Sequence, residues 1–246
     1  MSIPKIIHYC WFGGGPISAE SQKCMESWKK YCPDYKIIEW NDQNFDISTN
    51  RYAQQAYEAK KYAFVSDYVR LAVLYEYGGI YLDTDVELVR PLDELLELPG
   101  FMGFQTNNEV ATGLGFGARK GNSVVQALLR DYDALDFLKA DGSADLTPCP
   151  ERNTRVLQAL GVRKDGTRQS IAEMEIFPAE YFCPMDLYSR ELRVTPKTYS
   201  IHRYAESWKP KPSAVSRILQ RLLKKHYYTW YCPLRGRIEG RLRKRT

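Results

Sequence analysis

The chain has 246 residues, of which 44% are apolar and 26% charged, a composition typical of one globular domain with or without an appendage and not of a disordered chain. No apolar run approaches the roughly 18 residues that a membrane-spanning helix needs. The six cysteines form no Cys-x-x-Cys pair, which excludes a zinc ribbon and a thioredoxin motif. Since the first residues also lack the layout of a signal peptide, we expect a reducing, cytoplasmic compartment.

The net charge of +5 is distributed unevenly along the chain. Residues 209–246 carry twelve Lys or Arg and one acidic residue, a net charge of +11, so residues 1–208 have a net charge of −6. This division predicts a main domain over residues 1–208 and a basic extension over residues 209–246.

The first elements form a strand, helix, strand unit. Residues 3–12 are apolar and β-prone and end at a run of three glycines and a proline, with Trp11 at the exit of the strand. Such glycines either let a ligand approach the backbone or form an ordinary turn. Ser18 is the expected cap of a helix that ends at about Tyr31, and residues 35–40 form the next strand. This order predicts parallel pairing of the two strands.

Residues 50–77 have the apolar spacing of a helix. Asp67 and Arg70 lie three positions apart on it, in reach of each other. Such a pair is commonly a solvated surface contact of little energetic value. Because the helix leads directly into the stretch described next, the alternative is that both side chains face a ligand.

A double glycine, Gly78-Gly79, ends this helix, and a short apolar strand follows with Asp83 and Asp85 at its far end. Side chains at i and i+2 of a strand point the same way, so we expect both carboxylates to project together at the sheet edge where α/β folds bind ligands. Neighbouring carboxylates repel unless a cation lies between them, which predicts a Mn²⁺ or Mg²⁺ site. Asp-x-Asp also arises by chance, and residues 131–133 contain a second one in a helical pattern.

The rest of the main domain mixes strands and helices. The patterns predict strands at 101–105, 112–118 and 198–204 and helices at 122–139 and 151–160. The second of these strands contains Gly113, Gly115 and Gly117, which is typical of a backbone that another group approaches closely.

The basic extension contains a helical stripe of apolar residues over 213–228, with basic residues on its other faces and an aromatic cluster beyond it. A basic amphipathic helix of this kind is typical of contact with an anionic membrane surface. A helix docked on the core is an equally strong interpretation, and RNA binding is a weaker one.

Four motifs follow one another along the chain: Ile3-Pro4-Lys5-Ile6-Ile7-His8 with Trp11-Phe12-Gly13, then Ser66-Asp67-Tyr68-Val69-Arg70, then Tyr77-Gly78-Gly79-Ile80-Tyr81-Leu82-Asp83-Thr84-Asp85, then Ile201-His202 with Ser207-Trp208. In this order they resemble the glycosyltransferases with the DXD sugar-binding motif. That group includes capsular polysaccharide enzymes and mannosyltransferases and is related to the catalytic domain of the large glucosylating toxins. The similarity covers roughly residues 3–208.

The resemblance implies that residues 1–208 are a catalytic domain with a GT-A-type nucleotide-sugar-binding fold, a Rossmann-like mixed sheet flanked by helices, and that a basic helical tail follows. It implies a retaining hexosyltransferase that depends on Mn²⁺ or Mg²⁺ and uses a nucleotide-sugar donor, a UDP-sugar more than a GDP-sugar. The implied acceptor is a glycan or a lipid-linked oligosaccharide of surface or capsular polysaccharide synthesis, and no nucleic acid is expected. A peripheral position at the inner face of the cell membrane, held by residues 213–246, follows as a hypothesis.

The resemblance also implies a role for individual residues. Trp11 would stack on the donor base, Asp67 and Arg70 would hold hydroxyl groups of the donor, and Trp208 would reach its diphosphate. Asp83 would contact the sugar and ribose or reach the metal ion through water, and Asp85 would ligate the metal ion directly.

The third metal ligand stays open among His202, Glu206 and Ser207, because relatives often have a second histidine and a small residue where this chain has Arg203 and Glu206. Two other functions are weighed against the transferase. One is a nucleotide-sugar hydrolase or pyrophosphorylase, although the glycine- and lysine-rich phosphate loop of pyrophosphorylases is missing. The other is a non-enzymatic membrane- or nucleic-acid-binding protein with structural aspartates.

Overall fold

A computed structural model describes residues 2–186 and 189–205 of the chain. The described strands are β1 (Ile6–Cys10), β2 (Lys36–Trp40), β3 (Gly79–Tyr81), β4 (Val86–Leu88), β5 (Gly100–Phe104), β6 (Val110–Ala111), β7 (Phe116–Ala118), β8 (Gln169–Ile171), β9 (Met174–Phe177) and β10 (Ser200–His202). The described helices are α1 (Ala19–Tyr31), α2 (Arg51–Glu58), α3 (Tyr62–Tyr77), α4 (Ser123–Asp133), α5 (Cys149–Ala159) and α6 (Ala179–Phe182). The predicted helical tail lies outside the described residues.

The main sheet is mixed, with the strand order β2-β1-β3-β7-β5-β9-β8 and with β6 paired to β5. Strand β1 runs parallel to both β2 and β3, which confirms the predicted strand, helix, strand unit. Strand β7 is antiparallel to β3 and β5, and β5 is parallel to β9. Strands β4 and β10 form a separate antiparallel pair. The predicted fold class, an α/β fold with a mixed sheet flanked by helices, is confirmed.

Helices pack on both faces of the main sheet. One buried cluster joins helices α2, α3, α4 and α5 to the sheet, and the other joins α1, α6 and the β4–β10 pair to it. Ser18 caps α1 by accepting a hydrogen bond from the Ser21 N–H, as predicted. Trp28 of α1 is fully buried, and its Nε1 donates to the Val86 carbonyl at 2.7 Å. Helix α1 therefore fixes the start of β4, the strand that follows the two aspartates.

The structure corrects three predicted elements. Residues 50–77 form two helices instead of one, because the chain turns at Ala59–Lys61 and Lys60 takes a left-handed conformation with φ of 56°. The predicted strand 112–118 is divided, since β6 ends at Ala111 and β7 begins at Phe116. The strand that was predicted to carry both aspartates ends at Tyr81, before either of them.

His8 joins β1 to β2 and to the turn between α3 and β3. The Trp40 indole N–H donates to His8 Nδ1 at 3.0 Å, so the imidazole proton lies on Nε2, which donates to the Gly78 carbonyl at 2.9 Å. Gly78 ends α3 with φ of 67°, a conformation that favours glycine. Burial lowers the pKa of His8 to about 4, so the ring is neutral in the folded protein at neutral pH.

We expect His8 to make folding sensitive to mild acid. Its pKa is about 4 in the folded protein and 6.5 as a free side chain, so the unfolded chain takes up a proton first as the pH falls. The stability that His8 provides is complete above pH 6.5 and is lost towards pH 4, a loss of about 3 kcal/mol in the free energy of unfolding. Urea denaturation at several pH values measures it. His8→Gln keeps an acceptor and a donor but does not titrate, and an equally steep pH dependence in that variant would contradict the prediction.

Candidate functional site

The two aspartates lie in a tight turn between the main sheet and the β4–β10 pair. The Asp83 N–H donates to the Gly113 carbonyl at 3.2 Å, and the Val86 N–H donates back to the Asp83 carbonyl at 3.0 Å. The prediction that a strand geometry aligns the two carboxylates is therefore wrong. They converge because the backbone reverses between Asp83 and Val86, where the chain leaves one sheet and enters the other.

The structure brings His202 to this turn. Strand β10 pairs with β4 so that His202 lies opposite Val86, the residue directly after Asp85. Asp83, Asp85 and His202 each offer one ligand atom, and these atoms lie within 4.8 Å of one another. His202 Nε2 is 3.2 Å from Asp85 Oδ1. Of the three residues considered as the third ligand, His202 is the one that the described structure contains, and Glu206 and Ser207 lie outside it.

The charges of Asp85 and His202 stabilise each other. Burial alone would raise the pKa of Asp85, but the His202 imidazolium and the Ala205 N–H, which donates to Asp85 Oδ2 at 2.8 Å, hold it at about 2. Burial alone would lower the pKa of His202, and the carboxylates of Asp85 and Asp83 outweigh this and raise it. The contact between the two groups thus favours the ionised carboxylate and the protonated imidazole over their neutral forms.

This set of side chains fits a divalent metal ion. Two carboxylates and one imidazole are a combination that suits Mn²⁺, whereas Mg²⁺ prefers oxygen ligands throughout. His202 Nδ1 is buried and has no hydrogen-bond partner among the described residues, and the ring contacts Asp85 and the edge-packed ring of Tyr204. A bound ion would replace the proton on the imidazole, as metal binding to histidine generally does. A cleft of about 470 Å³ adjoins Asp85 between α1 and Arg203 and leaves space beside this cluster.

Arg70 is buried between two carboxylates. Its Nη1 is 3.2 Å from Asp67 Oδ1 and its Nη2 is 3.0 Å from Asp83 Oδ1. Asp67 and Arg70 are 8% and 5% exposed, so the interpretation of this pair as a solvated surface contact is wrong. Burial raises the pKa of Asp67 to about 6 against the opposing charge of Arg70. It also raises the pKa of Asp83, where Arg70 again opposes the shift.

Asp83 is enclosed by Tyr81 and Gly113. The Tyr81 hydroxyl donates to Asp83 Oδ1 at 3.0 Å, and the Tyr81 ring lies under the Arg70 guanidinium, 4.9 Å from its centroid to Cζ. A Cβ atom at Gly113 would overlap Asp83 Oδ2. The glycine pattern of this segment had indicated a close approach, and the approaching group at Gly113 is the Asp83 carboxylate.

Sequence reasoning missed a buried polar network behind Arg70. Thr112 Oγ1 and Cys149 Sγ lie 3.4 and 3.7 Å from Arg70 Nη1, and Asn153 Nδ2 donates to both of them. These residues come from the segment before Gly113 and from α5. Cys149 and Asn153 are four positions apart on one helix, but nothing in their spacing indicates which side of the fold they face.

Trp11 lies at the same sheet edge as the aspartates, because it directly follows β1, the strand beside β3. Its backbone N–H donates to the Trp40 carbonyl at 2.8 Å, and its indole N–H donates to the Gly15 carbonyl at 2.6 Å. The ring is partly exposed. Trp208, the other aromatic residue expected at the donor, lies outside the described residues.

Comparison with known families confirms the resemblance. Residues 18–101 match the profile of the glycosyltransferase sugar-binding region containing the DXD motif. The matched stretch contains Asp67, Arg70, Asp83 and Asp85. Residues 18–101 are therefore similar to the sugar-binding region of the glycosyltransferases with a DXD motif.

Several individual proteins are similar to this chain. Inositol phosphoceramide mannosyltransferase 3 of Schizosaccharomyces pombe is 30% identical over 151 residues, which are 55% of this chain and 39% of the relative. A mannosyl phosphorylinositol ceramide synthase of Saccharomyces cerevisiae is 33% identical over 111 residues, 41% of this chain and 27% of the relative. The chain thus spans less than half the length of these relatives. Among solved structures, the PaToxG glycosyltransferase is 21% identical with a TM-score of 0.48, over 64% of this chain and 70% of that one.

None of the helices within residues 2–186 and 189–205 is both long enough and apolar enough to span a membrane.

We expect Gly113→Ala to weaken metal binding because the added methyl group displaces the Asp83 carboxylate. Displacing a residue at the metal site typically costs 10- to 100-fold, so we expect an affinity for Mn²⁺ reduced by about that factor in calorimetric titration. Gly100→Ala is the control for crowding away from the site, since its Cβ would meet the end of Met174 and the Glu173 carbonyl instead of Asp83. Equal Mn²⁺ affinity in the two variants would contradict this role of Gly113.

Proposed function

We propose that this protein is a metal-dependent, retaining glycosyltransferase that moves a sugar from a nucleotide-sugar donor to a glycan or lipid-linked acceptor. The observation that carries the proposal is the convergence of Asp83, Asp85 and His202 within 4.8 Å, beside a buried arginine. The two aspartates lie inside the matched sugar-binding region, and His202 lies outside it. A nucleotide-sugar hydrolase would need the same donor site. Transfer of the sugar to an acceptor other than water distinguishes a transferase from a hydrolase.

Asp85 and His202 would hold the metal ion, and Asp83 would reach the ion or the donor hydroxyls. A bound Mn²⁺ supplies a Lewis acid that stabilises negative charge on the departing diphosphate. The bond between the anomeric carbon and the diphosphate oxygen breaks, and its electron pair leaves with the nucleoside diphosphate. The acceptor hydroxyl forms the new bond on the same face and gives its proton to the departing phosphate.

Arg70 and Asp67 have more restricted roles than the resemblance alone implies. Both Arg70 nitrogens that carry two hydrogens already contact carboxylates, so we propose that Arg70 presents Asp83 to the donor instead of forming most of the hydroxyl contacts itself. Asp67, which is 8% exposed, reaches the donor through a small part of its surface. Trp11 is proposed to stack on the donor base, since it is partly exposed at the same edge.

Two kinds of similarity bear on the identity of the donor sugar, and they favour different donors. The resemblance favours a UDP-sugar, and the similar yeast proteins are named for mannosyl transfer, which favours a mannose donor. A human relative, 28% identical over 148 residues, is named as an alpha-1,4-N-acetylglucosaminyltransferase. The test therefore has to include both UDP-sugars and GDP-sugars.

We expect one nucleotide sugar from a panel of UDP- and GDP-sugars to be turned over with Mn²⁺ and not with a chelator. Asp85→Ala removes a ligand of the ion that stabilises the leaving group, so its kcat/KM is expected to fall by at least about 100-fold. The measurement is donor hydrolysis, which is monitored by the release of nucleoside diphosphate. The anomeric configuration of a transferred sugar, read by NMR, tests retention.

The chain contains a matched control in its second Asp-x-Asp sequence. Asp131 lies on α4, where it pairs with the exposed Arg155 at 3.0 Å, so Asp131→Asn is expected to leave turnover unchanged. A folded wild-type protein that binds no donor would rule out the transferase and favour the non-enzymatic alternative with structural aspartates.

We also propose that residues 213–246 hold the enzyme at the inner face of a membrane, where lipid-linked acceptors are presented. The net charge of +11 over residues 209–246 supports this, because each basic residue near an anionic surface contributes about 1 kcal/mol. A cytoplasmic enzyme of this kind would act on surface or capsular polysaccharide precursors. No nucleic acid is part of the proposal.

Removal of residues 213–246 is expected to abolish sedimentation with phosphatidylcholine vesicles that contain about 30% phosphatidylserine, since the electrostatic attraction is lost. Binding of the full chain should weaken as the salt concentration rises and should be missing with pure phosphatidylcholine. Donor hydrolysis by the shortened protein should persist if the donor site lies within residues 1–208. Vesicle binding that survives the deletion would refute this role of the tail.

A further inference from the structure

Helix α5 holds the chain segment that faces Asp83. Thr154 Oγ1 accepts a hydrogen bond from the Val110 N–H at 2.8 Å, and Asn153 Nδ2 donates to Thr112 Oγ1 at 3.1 Å. The next residue, Gly113, accepts the Asp83 N–H through its carbonyl. Two neighbouring residues of α5 thus fix the backbone to which the turn of the two aspartates is attached.

Asn153 reaches Asp83 by a second route as well. Its Nδ2 lies 3.2 Å from Cys149 Sγ, and Cys149 and Thr112 are the two uncharged groups beside Arg70 Nη1. The same guanidinium contacts Asp83 Oδ1 through Nη2. The Asn153 amide group therefore affects the position of the Asp83 carboxylate in two ways, through the Arg70 side chain and through the backbone at Gly113.

Asn153 does not contact the solvent. It is 1% exposed and Thr112 is 0% exposed, so neither side chain is available to a substrate. The Asn153 Oδ1 atom is buried and has no hydrogen-bond partner among the described residues. A buried carbonyl without a partner lowers stability, so stability alone does not account for this amide group.

We propose that Asn153 is a positioning residue for the donor and metal site, acting through Thr112 and Cys149 on Arg70 and Asp83. This inference rests on the proposed function, and it adds α5, which lies outside the matched region 18–101, to the parts of the chain that determine donor affinity. Asn153 takes part in no chemical step.

The test compares Asn153→Ala with a pair of variants at Thr112. Thr112→Val keeps the shape of the side chain but removes the hydroxyl group, whereas Thr112→Ser keeps the hydroxyl group. We expect Asn153→Ala and Thr112→Val each to raise the KM for the donor and to weaken Mn²⁺ binding by about 10-fold or more, with a smaller change in kcat, and Thr112→Ser to remain close to wild type. The double variant Asn153→Ala with Thr112→Val should lose less than the sum of the two single losses, because the two residues share the route through Thr112.

Asn122→Ala is the control for a purely structural effect. Asn122 is 3% exposed and caps α4 through hydrogen bonds from the Val124 and Val125 N–H groups, with no contact to the site. It should lower the Tm and leave the donor KM unchanged. A rise in KM that merely follows the loss of Tm across all variants, or equal effects of Thr112→Ser and Thr112→Val, would overturn the inference.

Hydrogen exchange separates this inference from the proposed function. We expect faster amide exchange in residues 110–113 of Asn153→Ala and unchanged exchange there in Asn122→Ala, whether or not a donor is found. Unchanged exchange in Asn153→Ala would overturn the positioning role alone. A different result would overturn the proposed function: exchange is faster in Asn153→Ala, but the wild-type protein shows no metal-dependent turnover of any donor. The role of Asn153 at a donor site would then be overturned as well.

Discussion

The buried guanidinium of Arg70 is the interaction on which the site depends. Asp67 and Asp83 face it from two sides, at 3.2 and 3.0 Å; the Asp67 carboxylate is buried and that of Asp83 is partly exposed. Without a cation between them, two such carboxylates would take up protons, because burial disfavours their charge. Burial raises the pKa of Asp83 and Arg70 opposes this shift, while the Tyr81 hydroxyl donates to the same carboxylate. Arg70 belongs to helix α3, and Asp83 lies just after the end of strand β3.

The position of the second carboxylate depends on how two sheets meet. Asp85 belongs to a turn whose first half is attached to the main sheet through Gly113 and whose second half begins β4. Strand β4 is held by Trp28 from one side and by β10 from the other. His202 ends β10, so the antiparallel register brings an imidazole from a distant part of the sequence to Asp85. A shift of that register by one residue would turn His202 to the opposite face.

Much of this arrangement could be predicted from the sequence wherever it depends on local patterns. The Ser18 cap, the parallel strand pair around α1 and the contact between Asp67 and Arg70 each follow from spacing within a few residues. The path of the chain at Asp83 could not be predicted in this way, because the sequence does not show whether the apolar strand continues through Asp83 or ends in a tight turn before it. The pair Asn153 and Thr112 was missed for a different reason. Their contact depends on how α5 packs against the sheet, and hydrophobic periodicity carries no information about that packing.

The charges of the described site balance when a divalent cation is included. Three carboxylates, from Asp67, Asp83 and Asp85, face one permanent cation, Arg70, and one imidazole. With His202 protonated, the cluster keeps one excess negative charge, which a buried site tolerates poorly. With His202 neutral and a divalent ion bound, the three negative charges meet three positive ones. A bound divalent ion would thus take the place of the proton on the imidazole and neutralise the remaining charge. This balance favours an ion of charge two, and the imidazole among the ligands favours Mn²⁺ over Mg²⁺.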